Sequence, residues 1–293
     1  MSKIKKTKRK PPATDHSSKG QSNFAREMKS LGIIILIALG LRATVVEAYI
    51  VPTGSMEKTI MVGDFLIGNK FIFGMRTPDW IGIPYTTLGF DVPWTRLPAY
   101  RQPVNGDVVI FKYPHNPLEK YVKRLIAGPG ETVEIVDREI RINGEPFFHP
   151  EALQFVDAAP KPAGWNDPNI FPRGNGNKDH FGLVRVPARG DTLSALTQRE
   201  VLWYVAIMDG HEIHQQGSIM VLDGEAISYY VVEQDYYFMM GDNRDQSFDS
   251  RFWGFVPHDY ILGEALFVYF SIDMKRFPFI TWERAKRIGT VIH

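Results

Sequence analysis

Residues 104–127 read VNGDVVIFKYPHNPLEKYVKRLIA and carry a clear β pattern. Two short apolar runs, Val104–Lys112 and Lys120–Ala127, are bounded there by proline and glycine. Runs of this length between turn-forming residues are typical of buried strands. The segment therefore predicts two strands of a sheet.

The β pattern continues along the chain. Thr132–Val136 and Glu139–Asn143 alternate apolar and polar residues with a period of two, and Asn143-Gly144 favours a tight turn. Tyr229–Met240 and Ala265–Ile272 predict further buried strands. After residue 50 the sequence shows no amphipathic helix of 15 residues. We therefore expect a mainly β protein whose principal domain is an antiparallel sheet or barrel.

The composition excludes several classes of protein. With 293 residues, 44% hydrophobic and 23% charged, the chain is long enough for one large domain or two and is neither fibrous nor wholly disordered. It contains no cysteine, which excludes a disulfide scaffold, a cysteine-ligated metal site and a cysteine nucleophile. The net charge of +1 by itself favours neither a nucleic-acid binder nor a membrane protein.

The charge is distributed unevenly. Nine Lys or Arg and two acidic residues within residues 1–30 give a net +7, which leaves −6 for the remaining 263 residues. Residues 1–27 are also rich in Ser, Pro and Gly, and this composition is typical of a solvated basic tail. A basic tail can be a nucleic-acid arm, but a positive-inside topology signal is the commoner cause. We expect no nucleic-acid partner.

An apolar run, Leu31–Leu41, follows the tail and has no polar side chain. Eleven residues are too few to cross about 30 Å of hydrocarbon, but an extension to residues 28–48 suffices if Arg42 snorkels to the interface. We predict an uncleaved transmembrane helix there, with the N-terminus cytoplasmic and the rest of the chain outside. The alternatives are a cleaved signal peptide ending near Ala48 and a buried core helix.

The remainder divides by composition. Residues 49–147 and 236–293 form the predicted β domain, and residues 148–235, with Pro/Gly/Asn-rich stretches before another β-like pattern, look like an inserted β subdomain. Residues 74–103 contain five prolines, and they either contact the outer leaflet or cover the core; their aromatic residues are Trp80, Tyr85, Phe90, Trp94 and Tyr100.

Three segments combine residues that can perform chemistry: IVPTGSM at 50–56, YVKRLIAGPG at 121–130 and GDNRDQSFDSRFWG at 241–254. In a strand, Lys123 shares a face with Tyr121 and Leu125. A lysine on an apolar face is costly while charged, so desolvation lowers its pKa and suits it to act as a general base for a nearby serine. Each segment alone also has a structural reading: a turn, a solvated face or an ion-paired loop.

Other catalytic patterns are weaker. His211 and His214 do not form a His-Glu-x-x-His motif, and the flanking glycines argue against the helix that such a metal site requires. The sequence has no nucleophile elbow, no phosphate-binding loop and no dinucleotide fingerprint. We expect no metal and no organic cofactor.

Taken together, the three segments resemble the bacterial type I signal peptidases, membrane-anchored leader peptidases with a Ser–Lys dyad. The resemblance covers Arg42 to Phe147 and resumes from Tyr236 to the C-terminus. The segment at 241–254 is its most specific part. Three further stretches support the resemblance: Gly63–Lys70 with Phe73–Arg76, Asn105–Phe111, and Arg284 with Arg287–Gly289.

The resemblance implies a role for each matching residue. It makes Ser55 the nucleophile and Lys123 the general base, with Thr53 and the backbone N–H of Ser55 as the oxyanion hole. Ser247 matches a residue that orients the lysine, and Asp249 and Arg251 match a supporting ion pair. The pocket for small side chains in an extended substrate would be lined by Tyr49, Val51, Met56, Ile60, Leu66, Ile110, Tyr121 and Val122.

The sequence departs from the family pattern at a few positions. Lys58 stands where the family usually has Pro, Gln246 where it has Asn, and Asn105 replaces a common Arg. Gram-negative members often have two anchoring helices, whereas one candidate is visible here. The resemblance gives residues 148–235 no role.

The resemblance implies a serine endopeptidase of the bacterial inner membrane, with its catalytic domain in the periplasm. Its partners would be the lipid bilayer and preproteins cleaved after small residues in their signal peptides; oligomeric state stays open. Two alternatives remain. Repressor-type Ser–Lys autoproteases are soluble and carry a DNA-binding helical domain, which the apolar run at 31–41 and the missing helix-turn-helix disfavour. The other alternative is a tethered β domain with an inactive dyad.

Overall fold

The computed structural model describes residues 24, 26–35, 37, 46–77, 80–82, 88–147, 150–273, 275–277 and 279–293. The chain divides into two units, residues 1–43 and 44–293. In the first unit, residues 26–35 are helical. Among the residues described, no helix is long and apolar enough to cross a membrane.

The predicted anchor at 28–48 is wrong at its C-terminal end. Residues 38–45 lie outside the described residues, but residues 46–48 begin a strand, Val46–Ile50, that pairs antiparallel with Asp64–Asn69. The backbone groups of 46–48 are therefore bonded to a neighbouring strand rather than within a helix. Tyr49 lies opposite Leu66 in this pairing.

The regular secondary structure of the second unit is mostly β-strand. Within the part of the chain described, the strands are numbered β1 to β18 in chain order: Val46–Ile50, Asp64–Asn69, Trp80–Gly82, Gly89–Asp91, Val108–Tyr113, Asn116–Ala127, Thr132–Val136, Glu139–Ile142, Glu145–Pro146, Phe181–Arg185, Thr192–Ser194, Ile213–Gln216, Ile219–Leu222, Glu225–Ile227, Tyr229–Val231, Tyr236–Met240, Val256–Pro257 and Ile261–Ser271. The helices in this unit are α1 (Arg199–Met208), α2 (Ser250–Trp253) and α3 (Trp282–Ala285), with 3-10 turns at Arg244–Gln246 and His258–Tyr260.

The main sheet has seven strands in the order β1-β2-β18-β5-β6-β16-β17, and its paired neighbours run antiparallel. This confirms the expectation of a mainly β, antiparallel architecture. β5 pairs with β6 so that Val109 lies opposite Lys123 and Ile110 opposite Val122. Because side chains alternate along a strand, these two pairs project from opposite faces of the sheet.

The two faces pack into separate clusters. One face contributes to an aliphatic cluster of Tyr49, Val51, Met56, Ile60, Leu66, Val108, Ile110, Leu262, Ala265, Val268 and Ile292, with Val122 against it. The other contributes to an aromatic cluster of Phe73, Val109, Phe111, Leu125, Tyr237, Met239, Trp253, Val256 and Ile261, with Ile72, Tyr113, Tyr121 and Tyr260 against it. The predicted shared face of Tyr121, Lys123 and Leu125 is thereby confirmed for its two apolar members.

A four-stranded sheet in the order β10-β7-β8-β9 adjoins the main one. The predicted turn at Asn143-Gly144 connects β8 to β9, with φ values of 54° and 85°. β7 comes from the predicted β domain, whereas β10 comes from the predicted insert. A hydrophobic core continues across both parts, from Ile126 to Phe255. The predicted boundary at 147/148 therefore passes through a shared sheet and core.

Two predictions fail within or beside the insert. α1 was not expected, because its sequence REVLWYVAIM is rich in β-branched and aromatic residues; burial of four of its side chains outweighs that preference. The predicted strand Tyr229–Met240 divides into β15 and β16, which belong to different sheets. The pairing partner changes in the residues between β15 and β16. The alternation of apolar and polar residues alone does not reveal this change.

The proline-rich segment at 74–103 contains the hairpin β3–β4. Tyr100 and Phe90 are exposed, while Trp94 lies under the guanidinium of Arg76 at 3.6 Å from the ring centroid. Tyr85 lies outside the described residues. Contact of this segment with a membrane stays a prediction.

Candidate active site

The loop that carries Ser55 follows β1 and is held at both ends. The N–H of Val51 donates to the carbonyl of Asp64 at 3.0 Å, and the N–H of Gly63 donates back to Val51 at 3.0 Å. On the other side, Asn243 donates its backbone N–H to the carbonyl of Ser55 and its side-chain amide to Gly54, both at 3.1 Å. Sequence reasoning assigned no role to Asn243, although its segment was singled out.

Lys58 lies in the same loop with a φ of 76°. The proline ring fixes φ near −65°, so the residue usual in the family at this position cannot adopt this backbone conformation. The chain therefore turns here in a way that its own lysine permits and that proline forbids.

Ser55 and Lys123 meet directly. The amine Nζ of Lys123 donates a hydrogen bond to Oγ of Ser55, across 68 residues of sequence. Both side chains are buried, with exposed fractions of 7% for Ser55 and 4% for Lys123. The amine also lies 5.7 Å from the ring centroid of Tyr121. The structure thus brings together the two residues that the resemblance makes nucleophile and base, and those roles stay a prediction.

Burial controls the protonation of this lysine. It lowers the pKa of the Lys123 amine from 10.5 to about 8. The carboxylates of Asp249 and Asp242 raise that pKa, and the guanidinium of Arg251 lowers it further, but burial dominates. A large fraction of the amine is therefore uncharged at mildly alkaline pH and available to accept a proton.

Asp249 and Arg251 form a buried, two-point ion pair. Nε of Arg251 donates to Oδ1 and Nη2 to Oδ2, both at 2.8 Å. Burial alone would raise the pKa of Asp249, but the charge of Arg251 lowers it below its ordinary value. Asp249 also accepts from the N–H of Gly241 at 3.2 Å, so the pair ties α2 to the start of the 241–254 segment.

A second buried ion pair lies beside the dyad and was not expected from the sequence. Nε and Nη2 of Arg124 donate to the two carboxylate oxygens of Asp242 at 2.8 and 2.7 Å. Thr59 donates its hydroxyl to the same carboxylate at 2.5 Å, which links the nucleophile loop to the pair. Both ionic residues stood in the quoted segments, but nothing in their spacing indicated that they meet.

The donors expected at the oxyanion hole are free. Thr53 is exposed, and within the described residues its hydroxyl has no hydrogen-bond partner. The N–H of Ser55 likewise meets no acceptor in that part of the chain. Both groups are therefore available to an external acceptor, and their role in an oxyanion hole stays a prediction.

Ser247 is placed close to the dyad but does not bond to it. Its side chain lies next to Gly241, where an added Cβ would approach Oγ of Ser247 and the carbonyl of Ser55, each within 2.4 Å. The hydroxyl is buried and has no hydrogen-bond partner in the described structure. Its expected contact with the lysine amine is not made, and its orienting role stays a prediction.

Seven of the eight predicted pocket residues lie in or against the aliphatic cluster. Tyr121 is the exception, because it projects from the opposite face and stacks on Tyr113 with a centroid distance of 4.7 Å. The structure thus assembles one apolar wall next to Ser55 and places Tyr121 apart from it. The seven predicted pocket residues that form this wall are Tyr49, Val51, Met56, Ile60, Leu66, Ile110 and Val122.

The histidines weighed as metal ligands lie apart from the dyad segments. His211 contacts Asp223 at 2.6 Å through Nδ1 and Glu233 at 3.0 Å through Nε2, while His214 belongs to the exposed strand β12. The carboxylates raise the pKa of His211, with the hydrogen bond from Asp223 as the largest cause. Nowhere in the described ranges do three such side chains form a group suited to a metal ion.

Comparison with known proteins identifies relatives that match most of the chain. A family model described as "Signal peptidase, peptidase S26" matches residues 24–270. A signal peptidase I from Rickettsia bellii (strain OSU 85-389) is 32% identical over 276 residues, which cover 92% of this chain and 79% of that protein. A signal peptidase I from Aquifex aeolicus is 28% identical over 285 residues, covering 91% of each protein.

A solved structure is also similar in sequence. The crystal structure of a signal peptidase I from Enterococcus faecalis V583 is 24% identical to this chain, with a TM-score of 0.29, and covers 56% of this chain and 97% of that one. A TM-score this low does not show a shared overall fold. The family assignment therefore rests on the sequence matches.

Proposed function

The chain belongs to the signal peptidase S26 family of serine endopeptidases, and we propose that it removes N-terminal signal peptides with Ser55 as nucleophile and Lys123 as general base. One observation carries the proposal: a buried lysine amine, with its pKa lowered to about 8, is hydrogen-bonded to the serine hydroxyl. A neutral amine in that position can take the hydroxyl proton, which activates the oxygen as a nucleophile.

The reaction proceeds in two stages. The uncharged amine of Lys123 accepts the proton of Ser55 as Oγ attacks the scissile carbonyl, and the N–H of Ser55 and the hydroxyl of Thr53 stabilise the resulting oxyanion. The lysine then returns the proton to the leaving amine, which releases the mature protein. Lys123 next takes a proton from water as the water attacks the acyl-enzyme, and it returns that proton to Oγ of Ser55. The signal peptide leaves as a carboxylic acid and the serine hydroxyl is restored.

The wall formed by the aliphatic cluster accounts for the proposed preference for small residues. Met56 directly follows the nucleophile, and Ile60, Leu66 and Ile110 are fully buried beside it. Because the members of this wall are closely packed, we propose that it accepts only a small side chain such as that of alanine. We propose that the signal peptide lies here as an extended strand.

We further propose that the chain is anchored in the bacterial inner membrane by one span, with its catalytic unit in the periplasm. The basic tail and the apolar run at 31–41 support this topology. Because β1 begins at Val46, such a span has to end before that residue. A reporter fused after residue 293 is expected to be active only in the periplasm, and activity in the cytoplasm would contradict the one-span topology.

The deciding experiment is cleavage of a preprotein in detergent by the wild type, Ser55→Ala and Lys123→Ala. Both variants are expected to lose nearly all activity. Ser228→Ala and Lys161→Ala, at exposed positions of the same residue types, serve as matched controls and are expected to retain it. Near-full activity in either dyad variant would overturn the assignment and favour an inactive tethered domain.

A further inference from the structure

A cavity of about 650 Å³ lies between α1 and the residues that follow the 3-10 turn at Arg244–Gln246. Its walls include the aromatic side chains of Phe171, Trp203, Tyr204 and Phe252, and its cationic members include Arg173 and Arg199. A cavity of this size, largely apolar with a few polar groups, has the usual form of a ligand site. Neither the residues of the dyad nor those of the apolar wall described above line this cavity.

A continuous set of aromatic rings connects this cavity to the dyad. The Lys123 amine lies 5.7 Å from the Tyr121 ring, Tyr121 stacks on Tyr113 at 4.7 Å, and Tyr113 contacts the ring of His115 at 5.5 Å. His115 lines the cavity. The cavity wall therefore begins within about 16 Å of the amine, a distance that about five residues of extended chain can span.

A second path leads from the residue after Ser247. Phe248 is 53% exposed, and its ring stacks on Phe252 with a centroid distance of 5.7 Å. Phe252 is part of the cavity wall. The rings of Phe248 and Phe252 thus form an aromatic surface that extends along the segment 241–254 to the cavity.

The charges at the cavity favour an anionic group. Within the described ranges, no carboxylate forms an ion pair with Arg173 or Arg199. Arg199 is the first residue of α1, where the helix dipole disfavours a cation and attracts an anion. Its Nε is buried without a hydrogen-bond partner, while Nη2 donates to the carbonyl of Ser218 at 2.6 Å.

Glu200 also lines the cavity, and its negative charge offsets one of the two positive charges. A side-chain oxygen of Glu200 accepts the backbone N–H of Arg173 at 2.8 Å, so that carboxylate is engaged in holding the loop to α1. The N-cap residue of α1, Gln198, makes no capping hydrogen bond with its side chain. A carboxylate from a ligand would therefore meet two arginines and one acid, which together carry one net positive charge.

We propose that this cavity binds the mature part of the preprotein, a few residues after the cleavage site. It takes a large apolar or aromatic side chain, and Arg173 and Arg199 bind a neighbouring Asp or Glu of the substrate. This inference rests on the proposed function. The aliphatic cluster on one face of β5 and β6 accounts for the small residues before the scissile bond, so the aromatic surface on the opposite face is available to the chain that follows it.

The first test compares two preproteins with the same signal peptide. About five residues after the cleavage site, one carries Trp-Asp and the other Ser-Lys. The wild type is expected to cleave the Trp-Asp substrate with a kcat/KM about tenfold higher, mainly through KM. The double variant Arg173→Glu/Arg199→Glu and the variant Trp203→Ala are each expected to reduce this preference for the Trp-Asp substrate.

Arg189→Glu, an exposed arginine of the insert that does not line the cavity, is the matched charge control and is expected to behave as the wild type. Equal kcat/KM for the two substrates with the wild-type enzyme would overturn the inference and leave the proposed function intact. If the wild type cleaves neither of the two substrates, the proposed function is overturned and the inference with it.

The second test leaves the cavity unaltered and needs no catalysis. Ser55→Ala enzyme in detergent is mixed with a preprotein that carries a benzophenone side chain about five residues after the cleavage site. Irradiation is expected to join that residue to fragments containing Trp203 or Phe252. Cross-links found only at residues outside the cavity would contradict the proposed binding site.

Discussion

Lys123 and Arg124 are neighbours on β6, and both are buried cations, yet the two faces of the strand provide them with different surroundings. Lys123 projects towards the aromatic cluster and bonds to the hydroxyl of Ser55. Arg124 bonds to both oxygens of Asp242 and to the carbonyl of Gly106. The guanidinium of Arg124 holds structure through a two-point bond to a carboxylate, whereas burial beside a hydroxyl lowers the pKa of the Lys123 amine.

Lys123→Arg has the largest expected effect of the substitutions that test this comparison. Arginine stays protonated at any ordinary pH, so the variant keeps the positive charge and removes the base. We expect kcat for preprotein cleavage to fall by more than about 10⁴-fold. Retention of even a few per cent of activity would show that the uncharged amine is not required.

Asp242→Asn tests the structural role of the buried ion pair between Arg124 and Asp242. It leaves Arg124 buried beside a neutral amide, and breaking a buried ion pair in this way costs about 3–5 kcal/mol. We expect a loss of that size in the free energy of unfolding, measured by denaturant titration at pH 7. Replacing Arg124 and Asp242 together by leucine is expected to cost less than the single change, and a greater cost would contradict the ion-pair account.

Lys123→Met tests the cost of burying the amine. At pH values below about 8 the amine is protonated in both the folded and the unfolded chain, so the folded state carries the full cost of a buried charge. Between pH 8 and 10.5 only the unfolded chain stays protonated, and stability rises. We therefore expect the variant to be more stable than the wild type at pH 7, by up to about 3 kcal/mol, with the difference vanishing above pH 10.5.

Arg185 supplies the exposed counterpart of these buried cations. Its guanidinium meets Asp191 at 3.1 Å, with half of the arginine side chain open to solvent. Because water and salt screen such a pair, Arg185→Gln is expected to change the free energy of unfolding by about 1 kcal/mol or less. A loss as large as that of Asp242→Asn would mean that burial is not what separates the pairs.

The sequence predicted the surroundings of Lys123 better than those of Arg124. Alternation along β6 placed Lys123 with Tyr121 and Leu125, because a period of two is a local property of a strand. The contact of Lys123 with Ser55 joins residues far apart in sequence, so it followed only from the resemblance to a family. The contact of Arg124 with Asp242 has the same long-range origin and was missed.

The fold shows the same limit. Strands with regular alternation, such as β7 and β8, were placed nearly to the residue. α1 was missed, since tertiary burial rather than local preference makes that segment helical. Residues 46–48 were assigned to an apolar helix because their partner strand, β2, lies beyond the nucleophile loop.

The pH dependence of kcat/KM for preprotein cleavage tests most directly whether a buried, uncharged Lys123 is the base. Because protonation of the amine removes the base, kcat/KM is expected to be low at pH 6 and to rise with an apparent pKa of about 8. The Ser228→Ala control is expected to give the same profile. A rate that is constant from pH 6 to 10, or one that rises only near the ordinary lysine value of 10.5, would contradict this role of Lys123.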